Sequence, residues 1–135
     1  MKKILMAASL AALSMAFTTA IGAEEEIPPP EATGGVDLRD PQVIAKGLET
    51  LGSTCGGYCH GSMGSGYKGP ALRNRPDLTP KGMFATISYG RKRAGKQMPA
   101  WKGTLSDQEI WTVIAAVVSL RHADPDATQE KAGGH

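Results

Sequence analysis

Polar and apolar positions divide the chain into an apolar head, a polar arm and three short helical stretches joined by Gly- and Pro-rich loops. Asp40 and Pro41 supply an N-cap and a proline at the first helical position. Val43, Ile44, Leu48 and Leu51 then recur at helical spacing until Gly52, which predicts one helix leading directly into Cys55. Residues 61–77 are rich in Gly, Pro and Ser and read as loop. Thr79–Pro80 starts a second helix through Ser88, with Met83, Phe84 and Ile87 inward and Gly90 as its stop. Gly95 and Pro99 make 91–102 irregular. Ser106 and Glu109 have capping-box spacing ahead of an apolar stripe of Ile110, Val113, Ile114, Val117 and Val118. No stretch carries a strand signal, so an all-α fold of three main helices and long loops is expected.

The two ends have other compositions. Lys2 and Lys3 precede an apolar run from Ile4 to Phe17, and small residues follow to Ala23. That is the pattern of a secretory signal peptide over 1–22, cleaved between 20 and 23. The run is short for a membrane span, which needs about 20 apolar residues. Export to the periplasm without a transmembrane anchor is the expectation. Residues 23–40 carry Glu24–Glu26, Pro28–Pro30 and Gly34–Gly35 and read as a solvated arm. The domain proper is placed at 41–122, and 123–135 form a polar tail.

Without the leader about 112 residues remain, enough for one small domain. Two cysteines give no disulfide framework, and aromatics are few, at 5%. A buried cofactor would supply much of the missing core. Charge is uneven: Lys68, Arg73, Arg75, Lys81, Arg91, Lys92, Arg93, Lys96 and Lys102 face only Asp77 over the same stretch. Such a belt can be a plain solvated face, or it can steer docking to an acidic partner at rates that fall with salt. Exported, near-neutral and poor in aromatics, the chain is not expected to bind nucleic acid.

Candidate chemistry centres on Cys55-Gly56-Gly57-Tyr58-Cys59-His60. The usual attachment sequence for c-type haem is C-x-x-C-H, and here three residues separate the thiols. Cys59 and His60 remain adjacent, so one thioether and the proximal iron ligand keep their ordinary relation. Gly56 and Gly57 give the backbone freedom to absorb the extra residue between Cys55 and Cys59. A Cys55–Cys59 disulfide, a metal site and a redox dithiol compete with this reading. Zinc lacks a second ligand pair, because His122 and His135 stand alone near the tail. A dithiol enzyme would use C-x-x-C.

A haem with one histidine needs a second axial donor. Met63 is too near His60 to pass round the haem edge, and Met83 fits the inward stripe of the second helix, where methionine fills core. Met98 lies in an irregular segment stiffened by Pro99, and it is the candidate distal iron ligand.

These residues resemble the small soluble class I c-type cytochromes over about 41–121. Cys55, Cys59 and His60 match the family's haem motif apart from the inserted residue. Gly69-Pro70-Ala71-Leu72 is similar to its loop in which a proline carbonyl orients the proximal histidine, so the resemblance gives Pro70 that role and packs Leu72 on the ring. Met98-Pro99-Ala100-Trp101 is similar to its distal-ligand segment, with Trp101 near the propionates, and Leu105 to Trp111 resembles the start of its last helix. Gly47 and Leu51 sit at the family's helix crossing, where Ala116 departs from a frequent aromatic.

The resemblance implies a monomeric single-electron carrier with one haem c. It implies redox protein partners, with an exported dehydrogenase as donor and a terminal oxidase as acceptor, docking through an acidic patch. Two other readings stay open at this point. One is a haem enzyme with an open distal site, peroxidase-like. The other is a haem-free module locked by a Cys55–Cys59 disulfide.

Overall fold

Helix α1 (Pro41–Thr50) starts where the proline and its cap predict, with the Asp40 carboxylate accepting from the Gln42 N–H at 2.7 Å. The computed structural model describes residues 27–123; the signal peptide expected over 1–22 and most of the expected polar tail lie outside the described residues. At Gly52 the helix does not stop. The chain stays helical over Leu51–His60 but changes pitch, forming a π-helical segment. Its closing bond runs from the Gly61 N–H to the Gly56 carbonyl at 2.8 Å, five residues back rather than four. A Cβ on Gly56 would lie 3.0 Å from the Gly61 oxygen and 3.2 Å from the Leu51 oxygen, so the widened turn closes around a glycine.

Helix α2 (Pro80–Tyr89) is capped by Thr79, whose hydroxyl accepts from the Gly82 N–H at 2.9 Å. Met83 is buried and Phe84 and Ile87 half-buried, as the stripe predicts. Gly90 ends it at φ 75°, where a Cβ would come within 2.6 Å of the Met98 oxygen. The irregular stretch expected next is instead a hairpin of β1 (Arg91–Arg93) and β2 (Lys96–Met98), antiparallel and turned at Ala94–Gly95. Both tip residues have positive φ, 48° and 75°, as tight hairpin turns require. The strands left no signal because the hairpin is exposed almost throughout, so no apolar residue alternates along it. The fold is therefore mostly helical with one small two-stranded sheet.

Helix α3 (Asp107–Ser119) is the core element. Ile110, Val113, Ile114, Ala115, Ala116 and Val117 are buried. It crosses α1 at Gly47, where a Cβ would overlap the Thr112 carbonyl oxygen and touch Ala116 Cβ at 3.0 Å. Ala116 thus fits a crossing too close for an aromatic side chain at that contact. Phe84 stacks on Trp111 with centroids 4.5 Å apart, joining α2 to α3. The described part of the arm also differs from expectation. Val36 and Leu38 belong to the buried core, and Thr33 is fully buried with its hydroxyl 2.5 Å from the Val36 carbonyl. Gln108 Nε2 donates to the Gly34 carbonyl at 3.2 Å, tying this segment to α3. Isolated apolar residues among prolines and glycines carry no period, which is why the sequence shows nothing to bury here.

The capping box is complete: the Ser106 hydroxyl accepts from the Glu109 N–H at 3.2 Å, and the Ser106 N–H donates to Glu109 Oε2 at 2.8 Å. That backbone donor first, and the Ser106 hydroxyl second, hold the Glu109 carboxyl below its ordinary value of 4.5. A carboxylate with a depressed folded pKa stabilises fully above the unfolded value, and this is lost as pH falls through the folded one. Ser106→Ala is expected to lower Tm by about 5 °C at neutral pH, and by less below the folded Glu109 value. Thermal melts across pH 2–7 check it.

Candidate haem site

The π-helical segment carries Cys55, Cys59 and His60 on one continuous stretch of backbone. A turn closed five residues on holds one more residue than an α-turn, and this motif has one more residue between its thiols than the usual spacing. Cys55 and Cys59 both lie within that widened stretch. Cys55 is half-buried against the core and Cys59 is exposed; both are free thiols. Burial first, and the neighbouring Cys59 second, push the Cys55 thiol above its ordinary value.

The His60 ring is buried, and its Nδ1 stands 2.8 Å from the Pro70 carbonyl oxygen. A carbonyl only accepts, so Nδ1 carries a ring proton, and the tautomer this selects for a neutral imidazole has its lone pair on Nε2. The strap 61–72 is folded to make that contact. Gly66 N–H donates to the His60 carbonyl at 2.6 Å, and Gly69 N–H to the Cys59 carbonyl at 2.7 Å. A Cβ at Gly69 would sit 3.1 Å from His60 Cε1, so glycine there lets the backbone lie over the ring. Leu72 is half-buried on the core, its N–H bonded to the Gly64 carbonyl at 2.8 Å.

Motif spacing did not announce one further contact. Lys68 donates to the Tyr58 hydroxyl and also lies over its ring, 3.8 Å from the centroid. Tyr58 is the residue just before Cys59, so this pair clasps the strap to the motif from outside. No spacing rule reports a cation–π pair across a loop.

The methionines separate by environment. Met83 is 7% exposed within the core, and Met63 packs against that core at φ 50°. Met98 ends β2, half-buried and outside the core cluster. Trp101 follows, half-buried, its N–H bonded to the Ile87 carbonyl at 2.9 Å. The structure thus brings Cys55, Cys59, His60 and Pro70 together, and it seats the Met98–Trp101 segment on the end of α2. Among the described residues no group of three or more His, Cys, Asp or Glu side chains could hold a bare metal ion.

Residues 42–115 match the family described as cytochrome C oxidase, cbb3-type, subunit III. The chain belongs to that family. Among solved structures it is similar to cytochrome CL from the marine methylotrophic bacterium Methylophaga aminisulfidivorans MPT, at 26% identity, 78% coverage of each chain and a TM-score of 0.57. No curated protein sequence matches the chain. This c-type cytochrome carries a covalently bound haem c and is a haem-based electron carrier. The thiols and the oriented His60 lone pair suit that group, and a haem-free disulfide module is set aside. Among the described residues no helix is long and apolar enough to cross a membrane.

Proposed function

We propose that the protein is an exported, monomeric, periplasmic one-electron shuttle in which His60 and Met98 are the axial ligands of haem iron and both Cys55 and Cys59 form thioethers. The observation that carries this reading is the His60–Pro70 contact, which commits Nδ1 as a donor and presents Nε2 as a ligand. Bound haem supplies the ferric–ferrous couple, and methionine ligation raises its potential. The chain's own residues do the rest. Pro70 holds the imidazole in one tautomer and orientation. Leu72, Met83, Ile87 and Val117 provide apolar side chains to exclude water, and Trp101 is placed to meet the propionates.

Met98 is preferred over Met63 and Met83 because those two are already engaged in the core. The family's name, that of an oxidase subunit, supports a terminal oxidase as acceptor, and an exported dehydrogenase is the proposed donor. The leader at 1–22 supports the periplasm. A spectrum of the reduced pyridine haemochrome of the mature protein tests the attachment. Wild type is expected to show the band of a haem with both vinyl groups saturated, and Cys55→Ala the red-shifted band of one remaining vinyl. Identical bands in the two proteins would mean that Cys55 stays a free thiol.

A further inference from the structure

Among the described residues the exposed large apolar side chains are three tyrosines, Tyr58, Tyr67 and Tyr89. Two of them carry a lysine ammonium over the ring. Lys68 Nζ lies 3.8 Å from the Tyr58 centroid and donates to its hydroxyl, and Lys102 Nζ lies 5.6 Å from the Tyr89 centroid. Both are within the range of cation–π attraction. The ion pairs found among the described residues, Lys46–Glu49 and Arg75–Asp77, involve neither lysine.

The two pairs share one construction. Tyr58 precedes Cys59, and Lys68 precedes Gly69, whose N–H donates to the Cys59 carbonyl at 2.7 Å. Tyr89 follows Ser88, whose carbonyl accepts from the Lys102 backbone N–H at 3.2 Å. In each case a backbone bond between distant segments has a lysine–tyrosine contact directly beside it. The first bond closes the strap that brings the Pro70 carbonyl to His60. The second closes 98–102 back onto the end of α2, together with the Trp101 backbone N–H on the Ile87 carbonyl at 2.9 Å. Gly90 lets that segment lie close, since a Cβ there would come 2.6 Å from the Met98 oxygen and 2.9 Å from the Ala100 nitrogen.

We propose that Tyr58–Lys68 and Tyr89–Lys102 are positioning pairs for the two axial ligands, each setting how often its ligand-bearing strap opens. They act through the backbone: the first keeps Pro70 on His60, and the second keeps the segment behind Met98 seated on α2. Backbone bonds near the surface open locally at little cost, so a modest contact beside one changes its opening measurably. An exposed lysine–ring contact shifts such an equilibrium about two- to fivefold. The link to iron rests on the axial-ligand reading above; the fastening of the straps does not.

The test uses the ferric holoprotein and one local readout for each strap: displacement of the axial methionine by cyanide, and amide exchange at Gly66 and Gly69. Tyr89→Leu is expected to speed displacement about two- to fivefold, and Tyr89→Phe, which keeps the ring face, to match wild type. Tyr58→Leu is expected to speed exchange at Gly66 and Gly69 by the same factor and to leave displacement as in wild type. Lys68→Met repeats that result from outside the thiol motif. The tyrosine substitutions change no charge, so attraction of the anion stays constant among them. Contacts serving only general stability would lower Tm in both leucine variants and move both readouts together, which overturns the proposal. Unchanged displacement in Tyr89→Leu, or equal acceleration in Tyr89→Phe, overturns the distal pair. Unchanged exchange at Gly66 and Gly69 in both Tyr58→Leu and Lys68→Met overturns the proximal one. A wild-type ferric spectrum without the weak red band of methionine ligation would instead sink the Met98 assignment, leaving amide exchange at Trp101 and Lys102 to judge the distal pair.

Discussion

Replacing Met98 with alanine is expected to leave haem on the protein while lowering its reduction potential by on the order of 100–200 mV. The proposed attachment uses the thiols of the π-helical segment, and the imidazole meets the Pro70 carbonyl; neither involves the 96–98 strand. What disappears is a soft, weakly basic donor that favours the ferrous state. Water or an external anion can then reach the vacated position, so the red methionine band should vanish and cyanide should bind rapidly. Met63→Leu and Met83→Leu are the controls. Both side chains pack in or on the core, and their replacement should cost some stability and leave the band intact. If Met98→Ala keeps band and potential while one of the controls loses them, the distal ligand has been assigned to the wrong strand. If none of the three carries the band, the open-site haem enzyme becomes the better reading, and peroxide turnover should then be measurable in the wild type.

Gly47→Ala should be the most damaging single-methyl change in the protein. The added Cβ would overlap the Thr112 carbonyl oxygen and press on Ala116. Backbone oxygen in a helix cannot turn aside as a flexible side chain can, so α1 and α3 must move apart. Overpacking of this kind costs about 3 kcal/mol, or roughly 15 °C in Tm for a domain of this size. Because α1 runs straight into the π-helical segment, the shift should also disturb His60 and weaken the methionine band before global unfolding. Gly52→Ala is the matched comparison: a Cβ there meets nothing within 4 Å, and Tm should change by no more than about 3 °C. Equal melting temperatures for the two variants would show that the crossing is looser than its geometry indicates.

Much of this could be read along the chain. The proline-led starts of α1 and α2, the Ser106–Glu109 box and the stripe of α3 are local patterns. Each is set by propensity and hydrogen bonding within a few residues, and each reappears at its expected place. The thiol–thiol–imidazole run and the Gly69–Pro70 turn were equally visible, because covalent chemistry demands particular residue types at short spacing. Other features depended on neighbours distant in sequence. Val36 and Leu38 enter the core only because α3 lies beside them. The hairpin exists through pairing between two exposed, cationic strands that have no apolar alternation to betray them. The pitch of the Cys55–His60 segment is likewise a tertiary result. A glycine-rich stretch tolerates several backbone paths, and here the strap bonded to Cys59 and His60, together with the core packing of Leu51, accompanies the wider turn. Sequence alone thus determined which side chains are candidates to hold the haem and which segments are helical. Only the tertiary structure decided the wider pitch of the Cys55–His60 backbone and the pairing of the cationic strands, because both depend on contacts that no local pattern announces.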